Sequence, residues 1–291
     1  MKAAAKRFFV AGLLGIGFLS QAHALAVYGL TNSNSLVRFD SSTPGVISST
    51  LAITGLNSGT SLLGIDFRPA NGQLFGLSSD SRLYTIDTTT AAATLVGSAG
   101  AFVINGTSFG FDFNPVVDRI RVVSNADQNL RLNPNGALAA TDTPLSFAPG
   151  DVNANANPNV VGAAYTNSFA GATTTTLYGI DSALGILVTQ NPPNSGILNT
   201  IGSLGVSTSD NVGFDIFFFG NQAFASLTSV GGLSSFYSIN LATGAASLIG
   251  GIGRGLLITD IAIVQVPEPA TGALLALGLL GIALRVKRKR D

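Results

Sequence analysis

Four aspartates set inside short apolar segments are the first groups in this 291-residue chain that could do chemistry. Asp66, Asp112 and Asp215 sit in Gly64-Ile65-Asp66-Phe67, Gly110-Phe111-Asp112-Phe113 and Gly213-Phe214-Asp215-Ile216, and Asp260 sits in Ile258-Thr259-Asp260-Ile261. Carboxylates gathered around one point can bind a hard cation such as calcium. Pairs about 5 to 9 Å apart in a cleft could instead cut glycosidic bonds. The same acids can also serve structure alone, accepting hydrogen bonds from turn N–H groups between strands.

A second concentration of charge is Asp118, Arg119, Arg121 and Arg131. Arg119 and Arg121 are two apart, so on a strand they share a face. Two guanidinium forks there could grip a sugar acid, a sulfate or a phosphate, with Asn129 and Arg131 joining from the next strand. The structural alternative is a set of ion pairs with Asp112 and Asp118.

The residue types missing from 25–265 exclude more than those present suggest. That stretch has no His, Cys, Lys, Glu, Trp or Met. Ser-His and Cys-His nucleophiles are excluded, and so is a lysine Schiff base. Zinc and copper sites built on imidazole or thiolate are excluded too. General acid-base work would fall to Asp, Tyr or Arg. The expectation is therefore a protein that is not an enzyme, with no cofactor beyond a candidate calcium ion. Seven arginines against thirteen aspartates leave this stretch at minus six, although the whole chain is formally neutral. Such a surface disfavours nucleic acid and anionic lipid.

Two further motifs carry little. Asp151-Val152-Asn153-Ala154-Asn155-Ala156-Asn157 imitates the start of a calcium loop, but Ala156 stands where an EF-hand needs Gly and Gly162 where it needs an acid. Asn105-Gly106-Thr107 fits a glycosylation acceptor by pattern alone.

The elements that position these groups repeat. Positions 66, 112, 164, 215 and 260 are spaced 46, 52, 51 and 45 apart, with Gly162-Ala163-Ala164-Tyr165 as the copy that lacks an acid. A second marker is Leu74-Phe75-Gly76-Leu77, Ile120-Arg121-Val122-Val123, Leu177-Tyr178-Gly179-Ile180 and Ala223-Phe224-Ala225-Ser226. Its remaining copy, Val27-Tyr28-Gly29-Leu30, stands alone near residue 25. A third marker is a strand ending in a polar turn, at Leu36–Asp40, Leu83–Asp87, Leu130–Asn133, Ile186–Gln190 and Phe236–Asn240. Fourth strands are expected near Leu95, Ile201 and Leu248. Period-two alternation dominates, and no amphipathic helix of useful length is visible.

Short strands with Gly, Asn and Pro turns at this period predict an all-β fold, a β-propeller of five four-stranded blades. The repeats start with the second marker and finish with the first. Pairing of Ile258–Val264 with the Val27 strand would complete one blade from both ends and close the ring. A six-bladed ring or a β-sandwich is the alternative.

The ends carry addresses. Lys2, Lys6 and Arg7, the apolar stretch Phe8–Leu19 and Ala22-His23-Ala24 form a signal-peptide pattern over 1–24, with cleavage expected after Ala24. The domain at 25–265 is followed by a tail at 266–291. Its Pro267-Glu268-Pro269 precedes an apolar run, Ala270–Leu284, and a basic cluster, Arg285 to Arg290. Fifteen helical residues reach about 22 Å against a hydrocarbon core of about 30 Å, so the run is a weak transmembrane helix. The basic end should stay in the cytoplasm.

This tail resembles the PEP-CTERM sorting signal of Gram-negative bacteria. The resemblance implies inner-membrane anchoring, processing by an exosortase, and release to the cell surface or extracellular matrix, often alongside exopolysaccharide production. A second resemblance rests on Gly110-Phe111-Asp112-Phe113-Asn114-Pro115, Asp118-Arg119-Ile120-Arg121-Val122-Val123 and Gln128-Asn129-Leu130-Arg131-Leu132-Asn133-Pro134. These are similar to an uncharacterised bacterial family of unknown function found on secreted proteins. It implies a repeat β fold and no activity. The expected function is an exported surface or matrix protein that binds or accompanies exopolysaccharide. An Asp-dependent polysaccharide hydrolase or lyase, and a purely structural matrix component, are the alternatives.

Overall fold

The computed structural model describes residues 24–229, 231–253 and 255–265. The signal-peptide residues before Ala24, the sorting motif Pro267-Glu268-Pro269, the apolar run and the basic cluster lie outside the described residues, as does Arg254. Among the described residues no helix is long and apolar enough to cross a membrane.

In chain order the strands are β1 (Ala26–Thr31), β2 (Ser35–Asp40), β3 (Ile47–Ala52), β4 (Leu62–Phe67), β5 (Leu74–Ser78), β6 (Arg82–Ile86) and β7 (Ala93–Val96). Then come β8 (Phe109–Asn114), β9 (Arg119–Ser124), β10 (Asn129–Leu132), β11 (Leu138–Thr141) and β12 (Ser146–Phe147). They continue with β13 (Val160–Tyr165), β14 (Leu177–Asp181), β15 (Ile186–Gln190), β16 (Ile197–Ser203) and β17 (Val212–Phe217). The last are β18 (Gln222–Thr228), β19 (Ser234–Ile239), β20 (Ala246–Gly251) and β21 (Ile258–Ile263).

They form five antiparallel sheets, the blades of a propeller. Blade 1 is β21-β1-β2-β3, blade 2 is β4 to β7, blade 3 is β8 to β11, blade 4 is β13 to β16, and blade 5 is β17 to β20. The C-terminal strand pairs with β1, Val27 opposite Ile263 and Gly29 opposite Ile261, so the ring closes as the repeats require. Blade 4 carries one addition: β12 pairs in parallel with the outer strand β16. The outer strands β3 and β11 carry weak alternation in mostly exposed sequence and were not legible as strands.

The hydrophobic core is divided into five wedges, one between each pair of neighbouring blades. The inner strands β21, β4, β8, β13 and β17 pack side by side around the axis. Their repeated glycine permits that approach. A Cβ on Gly110 would stand 2.7 Å from the backbone N of Ala163, and one on Gly213 would stand 2.5 Å from the backbone N of Ile261. Such distances are far inside van der Waals contact, so these two positions admit glycine alone without movement of the neighbouring strand.

Strand pairing sets the fifth repeat two residues later than the sequence spacing does. Tyr28 faces Ala262, as Phe75 faces Asp66, Arg121 faces Asp112, Tyr178 faces Ala164 and Phe224 faces Asp215. The structural counterpart of Asp66 is therefore Ala262, and Asp260 lies one pleat upstream on the same face. A period of two makes the two positions indistinguishable by alternation.

Candidate functional site: the aspartate ring and the arginine cleft

The inner-strand aspartates reach from one blade to the next by a single rule. Asp66 Oδ2 accepts the N–H of Phe113 at 2.9 Å, and Asp112 Oδ1 accepts that of Tyr165 at 3.1 Å. Asp215 Oδ2 accepts the N–H of Ile263 at 2.6 Å, and Asp260 Oδ2 accepts that of Ile65 at 2.7 Å. In the repeat register, each acid takes the N–H one position further along on the neighbouring inner strand. Asp66, Asp215 and Asp260 also accept their own following N–H, from Phe67, Ile216 and Ile261. The acids thus clasp blades 2 to 3, 3 to 4, 5 to 1 and 1 to 2. Ala164 leaves the 4-to-5 junction without such a bond.

All four are buried, and burial pushes each carboxyl above the ordinary aspartate range. Asp215 is raised to about 6. Asp66 and Asp112 are raised further by the other acids of the ring. Asp66, Asp112 and Asp215 each bring one oxygen within 4.8 Å of the others, a spacing that a hard cation could bridge. Asp260 stands outside that trio.

The arginine cleft lies between blades 3 and 4. Asp112, Arg121 and Arg131 form one row across β8, β9 and β10, facing blade 4. In the other four blades the position of Arg121 is aromatic: Tyr28, Phe75, Tyr178 and Phe224. Arg121 therefore replaces a ring in the wedge, and it is 2% exposed. Its guanidinium donates to Asp142 Oδ2 at 2.7 Å, Asn129 Oδ1 at 2.6 Å, Asn194 Oδ1 at 2.8 Å and, at 3.4 Å, the Tyr165 hydroxyl. Asn129 is itself buried and donates to the carbonyls of Thr143 and Pro193, so it holds the scaffold and offers nothing to a ligand.

Arg131 is 32% exposed and grips Asp142 through Nε at 2.7 Å and Nη2 at 2.9 Å. Burial works against the charge on Asp142, yet hydrogen bonds from Arg131 and Arg121 hold its carboxyl below the usual range. Arg119 forms no ion pair among the described residues; its Nη1 donates to the carbonyls of Val117 and Asp118. Asp118 is occupied elsewhere, in a two-point pair with Arg68. Arg119, Arg121 and Arg131 line one cavity of about 440 Å³ with Asn114, Tyr165 and Asn194.

The ion pairs expected of Asp112 and Asp118 with these arginines are therefore replaced by one partner, Asp142. It sits just after the weakly patterned β11, which is why its role was not visible. Asn194 arrives from the β15–β16 connection, far away in sequence. The calcium-like stretch is tied to the outer strand of blade 4: Asp151 accepts from the Thr200 N–H at 2.7 Å and the Thr200 hydroxyl at 2.7 Å on β16, and from the Asn153 N–H at 2.8 Å.

A family model described as Domain of unknown function (DUF4394) matches residues 35–262, from the first residue of β2 into β21. The chain belongs to this family. The DUF4394 match contains every aspartate of the ring and every arginine of the cleft, and it brings no activity with it. A second model, the PEP-CTERM protein-sorting motif, matches residues 265–289. That motif implies an exported protein that is held at the membrane for a time and processed by an exosortase. Comparison with curated proteins gives no match. Among solved structures, the chain is similar to one in "Crystal structure of Nidogen/Laminin Complex", at 11% identity, 83% of this chain, 98% of that chain and a TM-score of 0.46.

Proposed function

We propose that this exported DUF4394 propeller is a non-enzymatic matrix protein that holds acidic exopolysaccharide in the cleft between blades 3 and 4. The observation that carries the reading is the balance of charge there. Three arginines line the cavity, but only Arg121 and Arg131 pair with its carboxylate, Asp142, while Arg119 donates to two backbone carbonyls and keeps its charge unpaired among the described residues. Guanidinium groups held in place by a buried ion pair are preorganised for a uronate or sulfate group. The surrounding domain is acidic, so a polyanion would be repelled elsewhere and admitted at the cleft.

The enzyme alternative is disfavoured by placement. The acids that come together are buried in the propeller's axis and engaged with backbone N–H groups, where no glycosidic bond reaches them. For the same reason the ring is read as a set of blade clasps, and calcium as a candidate ligand to be tested there.

The test is binding of the wild-type domain and of Arg119→Ala/Arg131→Ala to a uronic-acid polymer, with neutral dextran as control. Salt-sensitive binding to the acidic polymer alone, lost in the double variant, is expected. Equal binding to both polymers, or none to either, would overturn the reading.

A further inference from the structure

Three phenylalanines stand where the propeller hands the chain to its sorting segment. The clasp rule requires the inner strands to run in one direction, so the loops after β8, β13, β17 and β21 share one mouth of the ring. Gln265, the last described residue, is pinned there: its Oε1 accepts the Phe218 N–H at 3.0 Å and its Nε2 donates to the Ile216 carbonyl at 3.2 Å. Phe218 in turn touches Phe217, Phe169 and Phe219, with ring centroids 5.0, 5.8 and 6.4 Å away. The Asn167 N–H donates to Asn221 Oδ1 at 2.8 Å and ties the two loops together. Phe219 is 69% exposed and Phe169 41%. Apolar residues scattered singly on a surface need no explanation, whereas rings in contact beside a chain exit form a patch.

The tether decides what faces this patch. Residues 266–269 alone separate Gln265 from the apolar run that begins at Ala270. The five residue steps from Gln265 to Ala270 span at most about 18 Å. While the tail is anchored, this mouth is held about that close to the bilayer.

We propose that the Phe169–Phe218–Phe219 patch seats in the lipid interface of the membrane that holds the uncut tail. Aromatic rings at such an interface leave water without entering the hydrocarbon core. Seating would fix the propeller mouth-down over the membrane and present Pro267-Glu268-Pro269 in a constant position at its surface. Three rings hold weakly by themselves, so the domain would leave once the tail is cut. The inference rests on the sorting motif acting as a transient anchor.

The chain contains no tryptophan, so one introduced ring is a sole reporter. Full-length chains carrying Phe219→Trp or Val103→Trp would be reconstituted into vesicles with and without brominated lipid. Val103 is the control: it is 72% exposed, and Gln128 holds its carbonyl at the opposite mouth, beside the end of β9. Expected are a blue-shifted emission and bromolipid quenching for Phe219→Trp, and neither for Val103→Trp. Vesicle flotation of both chains reports the anchor separately. A chain that floats with Phe219→Trp unquenched overturns the docking while the anchor stands. Failure to float overturns both. Burial of the reporter only when an exosortase is co-reconstituted would assign the patch to a protein and overturn the lipid assignment.

Discussion

Acidifying this protein from pH 7.5 to pH 5 should make it more stable, and Asp215 is where the size of the effect can be worked out. Its carboxyl is fully buried and raised from 3.8 to about 6 in the folded state. The native chain then holds this proton more tightly than the unfolded chain, so the contribution is fully present below pH 3.8 and is lost as pH rises through about 6. At 1.36 kcal/mol per pKa unit the full contribution is about 3 kcal/mol, of which about 1.4 kcal/mol is present at pH 5 and almost none at pH 7.5. For a domain of this size that is roughly 3 to 6 °C in Tm. Asp66, Asp112 and Asp260 are shifted in the same direction, also by burial first, and add to the trend. The ion-paired acids Asp118 and Asp142 are shifted the opposite way, so their stability is lost only as pH falls below the ordinary aspartate value. The assay is thermal unfolding of the domain in EDTA across pH 4.5 to 8, beside Asp215→Asn. The variant cannot ionise, and it removes the charge that lifts Asp66 and Asp112, so its rise on acidification should be smaller. A wild-type Tm that stays flat or falls between pH 7.5 and 5, or a variant with an unchanged slope, would refute the reasoning.

Other outcomes follow from the same geometry. Gly110→Ala forces a Cβ to 2.7 Å from the Ala163 backbone and should cost about 1 to 3 kcal/mol, read as a lower urea midpoint at an unchanged m-value. Arg121→Leu should cost about 1 to 3 kcal/mol, because Arg131 still pairs with Asp142. Adding Arg131→Ala strands that buried carboxylate and should raise the total to at least about 3 to 5 kcal/mol in denaturant titration. Arg119→Ala touches two carbonyls and no ion pair among the described residues, so its Tm should stay within about 1 °C of wild type while binding to an acidic polymer weakens. Calcium added to EDTA-treated protein at pH 7.5 should leave Tm unchanged if the ring only clasps blades; a rise of several degrees would assign it to a cation.

Much of the architecture was legible because the repeat has a steric cause. Glycine two residues before the acid lets neighbouring inner strands touch, and the acid then spans the gap to the next backbone, so Gly110-Phe111-Asp112 and Gly213-Phe214-Asp215 had to recur at blade intervals. Strands buried on both faces, such as β8 and β17, announce themselves by apolar runs. The exposed outer strands β3 and β11 carry no such demand and were silent. Asp260 shows the limit of spacing: its alternation suits either of two registers, and the pairing of β21 with β1 chose the one that aligns Ala262 with Asp66.

The sequence by itself determined the five-fold repeat, the closure of the ring by its two end strands, the export address, and the lack of imidazole, thiolate and amine side chains in 25–265, because periodicity and composition are properties of the chain before it folds. Only the tertiary structure decided which groups meet. Asp142 lies 21 residues from Arg121 and Asn194 lies 73 away, yet both bond the same guanidinium. The phenylalanines beside Gln265 come from blades 4 and 5, and Gln265 itself follows the last strand of blade 1. Such meetings are set by how blades 3, 4, 5 and 1 pack around the axis, and no local pattern carries that information.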